Sequence, residues 1–217
     1  MPPTELAELP YAAALEPHDG GLRPDGDYDT LLFDKVSFAS PAAQSARFIE
    51  CAFRTVTFDE GQLQRASFRD VWLRDVRLTG TLLADSNWRD GFFVSSVLAG
   101  AAMYGSVLTR VTFAGCKLDS VNFRQAKLTQ VQFEDCVLRD VDFGGAMLAR
   151  CAFAGSKLTR TDFTRAKMDQ VDLRGAELGI VIDRDCLSGA IISTAQLAQA
   201  APVLAGSLGI VISDELA

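Results

Sequence analysis

From Phe33 to Leu178 every fifth residue is large and apolar, with one exception, Ala43, among 30 positions. The frame runs through Phe33, Phe38, Phe48, Phe53, Phe58, Leu63 and Phe68 to Phe163, Met168, Leu173 and Leu178. Two places before each of these stands a small, β-branched or otherwise uncharged residue, as at Val36, Ala46, Cys51, Val56, Val111, Cys116, Val121 and Ala126. Each five-residue unit therefore sends two side chains inward. A helix repeats at 3.6 residues and a strand at 2, so neither keeps such a stripe on one side. A chain that turns a corner once per unit does, and the pattern predicts a solenoid.

The units VNFRQ at 121–125, VDFGG at 141–145, TDFTR at 161–165 and VDLRG at 171–175 resemble the pentapeptide-repeat family, over about two thirds of the chain. The resemblance implies an all-β solenoid, a right-handed quadrilateral β-helix with four units per coil. Thirty units then make about seven to eight coils. At the spacing of a β ladder the rod is on the order of 36 Å long.

Sorting the frame at twenty residues supports four sides. Phe113, Phe133 and Phe153 fall on one side, Phe123, Phe143 and Phe163 on the opposite one, and Leu118, Leu138 and Leu158 between them, facing Leu108, Leu128 and Leu148. Like stacks on like, which fills an axis with offset rings. These phenylalanines and leucines are the predicted core.

All charged residues between 33 and 178 fall outside the two inward columns, as the cost of burying an unpaired charge demands. Cys51, Cys116, Cys136 and Cys151 take the small inward position, where a thiol packs as a compact hydrophobe. No CxxC or Cys/His spacing is present, so no metal and no cofactor is expected. The single histidine, His18, lies in EPHDGGLRPDGD, which reads as a mobile linker. Asp142, Asp162 and Asp172 stand beside the central residue, where hydrogen bonds to corner backbone are expected. Gly144 and Gly145 suit corners that need positive φ. No catalytic residue is identified, and the chain reads as a non-enzyme.

Charge divides the chain in three. Residues 1–32 hold seven acids against Arg23, residues 179–217 four acids against Arg184, and residues 33–178 hold 19 bases and 17 acids. The expected organisation is an acidic N-terminal arm or linker over 1–30, the β-helix over 31–192, and a helical cap and dimerisation segment over 193–217. Ile182, Leu187 and Ile192 form a last partial coil one residue out of frame. Ser193 and Thr194 follow as helix caps, with Pro202 as a break or the start of a second turn. No apolar run reaches the length of a membrane span, MPPTELAELP is not a signal peptide, and a cytoplasmic location is the expectation.

The C-terminal stretch at 180–212 extends the resemblance to the Qnr and MfpA branch, whose members bind DNA gyrase and topoisomerase IV as homodimers that imitate duplex DNA. The unbroken frame leaves no room for projecting loops, which favours the MfpA-like form. The resemblance implies a homodimer through Leu197, Val203, Leu204, Leu208, Ile210 and Ile212, and an effect on gyrase poisons and hence antibiotic resistance. Glu50, Glu60, Asp70, Asp75, Asp85 and Asp90 are the candidate acidic partner-binding surface. A DNA mimic needs negative potential, yet the side built on Phe48, Phe68 and Trp88 carries seven bases against four acids. The alternative is an interaction scaffold for another protein partner. Direct binding of nucleic acid through the basic side, or an enzyme, is the third reading; the net charge of −7 and the lack of exposed, interleaved aromatics weigh against it.

Overall fold

The computed structural model describes residues 2–181 and 187–213. Successive coils pair in parallel at an offset of twenty residues, as Trp88 with Leu108 and Leu118 with Leu138. The chain is therefore a parallel β-solenoid with four walls. Wall one is centred on Phe33, Phe53, Leu73, Phe93, Phe113, Phe133, Phe153 and Leu173. Wall two runs from Phe38 to Leu178 and forms an eight-stranded sheet. Wall three, from Ala43 to Phe163, is joined by single bridges such as Asn122 to Asp142. Wall four runs from Tyr28 to Met168. The strands Asn87–Val94 and Val107–Ala114 cross the corner between walls four and one and unite them in a 13-stranded sheet.

The corners explain the period of five. Every fifth residue from Asp25 to Gly175 has positive φ, and 24 of these are not glycine. A side chain in that region costs about 1–3 kcal/mol. It persists because the corner N–H joins the ladder, as Thr30 N–H to Ile49 O at 2.9 Å and Asp70 N–H to Arg89 O at 3.0 Å. Asp142, Asp162 and Asp172 accept from the backbone N–H of Gly144, Thr164 and Arg174 at 2.7, 2.7 and 3.0 Å. Gly145 turns with φ 67°, whereas Gly144 precedes the corner and has no positive φ, so only one of the pair meets the expected need.

The axis is filled. Phe113, Phe133 and Phe153 stack at 5.0 and 4.7 Å, and Phe123, Phe143 and Phe163 at 5.1 and 5.0 Å. The two stacks meet edge to face across the axis, with Phe133 and Phe143 at 6.1 Å and 83°. Leu118, Leu138, Leu158 and the six phenylalanines are all buried. Ser96, at a small inward position, donates to Val94 O and accepts from Val76 N–H, both at 3.0 Å. Burial pushes the Cys51 thiol to about 12 and that of Cys151 to about 11, which makes them packing groups.

The N-terminal end departs from the expected boundary. Glu16–Pro17 and Asp27–Asp29 already pair within the solenoid, and Tyr28 stacks on Phe48 at 4.8 Å, so the frame starts one unit before Phe33. The stretch expected as a mobile linker is ordered: the His18 ring lies 5.0 Å from Phe33 and 5.6 Å from Tyr28, over the first coil. Residues before it fold as two 3-10 turns, Leu6–Glu8 and Ala12–Ala14, against the outside of wall one. There Trp72 is fully buried among Leu6, Leu9, Tyr11, Ala12, Leu15 and Phe92. Its Nε1 donates to Pro3 O at 2.8 Å, and Arg74 pairs with Glu5 at 2.6 Å.

At the other end the offset shortens from twenty to nineteen at Thr159/Thr161, and Ala190–Ile191 pairs with Val171–Asp172 at that shorter offset. Ile182 lies outside the described residues. Ser193 and Gln196 form a capping box at the start of helix Thr194–Ser207. Gln196 Nε2 also donates to Leu173 O and Ala176 O at 2.7 and 2.8 Å, closing carbonyls of the last coil. Pro202 does not break the helix; it stands inside it, exposed, and costs one backbone bond.

Candidate functional site

With the axis closed, whatever the molecule recognises meets the outside of the walls or the C-terminal end. Three outward residues per unit make up each wall: the ones flanking the central residue and the corner beyond.

The six candidate acids all occupy corners, each with φ between 50° and 57°. The coil of twenty separates them. Glu50, Asp70 and Asp90 share the corner between walls four and one, whereas Asp75, Glu60 and Asp85 stand on the other three. The structure thus brings together half of the proposed surface. Within the shared corner, burial first and the charge of Asp90 second push the Asp70 carboxyl above the ordinary range. Asp90 itself is engaged by Arg110 at 2.5 and 2.7 Å.

That engagement is one of a series. Arg47 reaches Asp27, Arg54 reaches Asp34, Arg139 reaches Asp119 and Arg160 reaches Asp140, in each case twenty residues back and one coil away. The arginine hydrogen bonds hold Asp34, Asp119 and Asp140 below the usual carboxylate range. Coil-to-coil pairing breaks the surface into a patchwork of neutralised rungs. No group of three or more His, Cys, Asp or Glu among the described residues is placed to hold a metal. No helix among them is long and apolar enough to cross a membrane.

The C-terminal end is apolar and open. Leu197, Val203, Leu208, Ile210 and Ile212 are exposed, at 49 to 62% of their surface, and Leu204 is half-buried. Val203 also lines a hollow between the helix and the last coil, with Leu178, Ile180, Leu187, Gln196 and Gln199. The covered residue that sequence reasoning missed is Trp72. Its signal is the outward column Leu32, Ala52, Trp72, Phe92, apolar where a solvated wall would be polar.

Residues 86–163 match the family model of a pentapeptide repeat region. No curated protein matches the sequence. Among solved structures, the chain is similar to two trypsin-treated forms of QnrB1, a plasmid-mediated fluoroquinolone resistance protein. One is 18% identical, with a TM-score of 0.47 over 92% of this chain and 97% of that one. The other is 16% identical, with a TM-score of 0.45 over 87% and 100%. The chain is also similar to HetL, a pentapeptide repeat protein involved in heterocyst differentiation regulation from the cyanobacterium Nostoc sp. That similarity is 15% in identity with a TM-score of 0.28, over 77% of this chain and 87% of HetL.

Proposed function

On the premise that this is a pentapeptide-repeat protein, with the repeat matched over 86–163 and its corners continuing from Asp25 to Gly175, we propose that it acts by docking other proteins against its walls. It does so as a homodimer joined through the C-terminal segment, without a catalytic step of its own. The observation that carries this reading is the row of exposed apolar residues at the C-terminal end, from Leu197 to Ile212. Burying one such side chain fully is worth about 1.5–3 kcal/mol, and a two-fold contact uses the same patch twice and closes on itself. The filled axis supports it further, since recognition is left to the flat exterior.

The test is mass in solution. Light scattering should give twice the 23.4 kDa of one chain, and Leu208→Arg should give folded protein of half that mass. Wild-type protein that stays at 23.4 kDa at micromolar concentration removes the dimer.

A second reading has the dimer enter the DNA-binding groove of DNA gyrase or topoisomerase IV as a mimic of duplex DNA and alter sensitivity to gyrase poisons. The stacked carboxylates Glu50, Asp70 and Asp90 favour it, with Asp70 titrating high partly because Asp90 lies close. The coil-to-coil ion pairs weigh against it. Protein that changes neither supercoiling nor drug-stabilised cleavage at micromolar concentration rules this second reading out and leaves the first intact.

A further inference from the structure

Nine basic side chains among the described residues are tied to an acid, most of them one coil away. On wall four Arg47 keeps that habit with Asp27, whereas the flanking bases beyond it do not. On that wall's two flanking columns, Arg69, Arg89, Lys127 and Lys167 are exposed and none forms an ion pair. Arg69 and Arg89 are direct register partners on adjacent strands. Like charges in that relation are destabilising; Asp70 beside them offsets part of this through its attraction to both, and a bound anion relieves the rest. Ser67 and Asn87 flank them, and these four residues with Phe68 line a shallow hollow. Further along, Met147 is the register partner of both Lys127 and Lys167 and is 49% exposed. With Thr129, Ala149 and, at its far edge, Asp169 they line a second hollow, more apolar than the first.

From Ser67 to Lys167 those columns hold four bases and no acid; Asp169 closes the far end. Five coils separate Arg69 from Asp169, a span of about 24 Å at the spacing of a β ladder. Resting on the docking reading above, we propose that wall four receives an acidic, extended segment of a partner protein laid along the solenoid axis. Arg69 and Arg89 hold one carboxylate between them, and Lys127 and Lys167 hold others on either side of an apolar seat at Met147. The chemistry favours a protein segment over nucleic acid. A duplex of that length brings about fourteen charges to four bases.

The probe is a fluorescein-labelled peptide of about eight residues alternating glutamate with valine, long enough to span the wall as a strand, added to full-length protein and read by fluorescence anisotropy. Wild type should bind it at low salt and lose roughly tenfold in affinity at high ionic strength. The pair Arg69→Glu and Arg89→Glu should abolish binding, whereas Arg77→Glu with Lys117→Glu on wall two should leave it unchanged. Equal loss in both variants, no binding by wild type, or equally tight binding of a short DNA duplex would overturn the assignment. Light scattering on the same samples separates the outcomes: a dimer that ignores the peptide loses wall four as the docking face and keeps the C-terminal interface.

Discussion

Phe133 offers the sharpest test of the filled axis. Its ring is fully buried, stacked between Phe113 at 5.0 Å and Phe153 at 4.7 Å, and meets the edge of Phe143 at 6.1 Å. Truncation to alanine at such a site costs about 3–5 kcal/mol in transfer and cavity. Three ring pairs, each worth about 0.5–1.5 kcal/mol beyond buried area, place Phe133→Ala in the upper part of that range, a loss of about 4–5 kcal/mol. Domains have about 5–15 kcal/mol in all, so most of the margin goes. At roughly 2.5 kcal/mol per molar urea, the midpoint of the circular-dichroism transition should fall by about 2 M. Phe133→Leu, the residue that wall two carries at the same level, should lose only about 1–2 kcal/mol. Phe133→Asp should give no soluble folded protein. A Phe133→Ala midpoint within about 0.4 M of wild type, on the same slope, would refute the stacked core.

Three other outcomes follow from the ends and the rungs. Leu9→Asp should free the N-terminal turns from wall one, red-shifting Trp72 emission while Trp88 on the axis stays unchanged, a split read by comparing single-tryptophan variants. Gln196→Leu leaves Leu173 O and Ala176 O without the amide that closes them, so it should cost about 1–3 kcal/mol. Hydrogen exchange should speed up in the C-terminal helix and last coil before any other part. The carboxyls of Asp34, Asp119 and Asp140 are held low by their arginines, so their contribution is present above the unfolded value near 3.9 and is lost as pH falls through the folded one. Arg139→Gln with Arg160→Gln should therefore lower the neutral plateau slightly, as loss of exposed pairs does, and its stability curve should converge on that of wild type as pH falls below about 4.

The core was legible because one chemical demand recurs at every unit. An inward position is apolar whichever wall it belongs to, so a period of five reveals the whole lining without three-dimensional information. The exterior obeys a different period. Asp34 and Arg54, Asp119 and Arg139, Asp140 and Arg160 are rungs only because the coil has twenty residues, and a scan for opposite charges at that spacing finds them. Reading the acids by corner position alone grouped Glu60, Asp75 and Asp85 with Glu50, Asp70 and Asp90, although the coil sends them to different edges. The N-terminal turns escaped for another reason. They have no repeat of their own, and the acidic stretch MPPTELAELP reads as an arm until Trp72 and Phe92 are recognised as outward residues that need a cover. Pro202 reads as a break or the start of a second turn, but the helix starts from an anchored Gln196 and passes it with the residue exposed.

The twenty-residue coil also sets a rule for changes in length. Loss or gain of twenty consecutive residues within the rod alters its length by about 4.8 Å and leaves each later wall facing as before. Removing the five residues 116–120 would instead rotate everything downstream by a quarter turn, carrying Lys127 and Lys167 off the side that bears Arg69 and Arg89 while every inward position stays apolar. Such a deletion variant would fold and lose its alignment, so for this chain the reading of its surface is far less tolerant of indels than its stability.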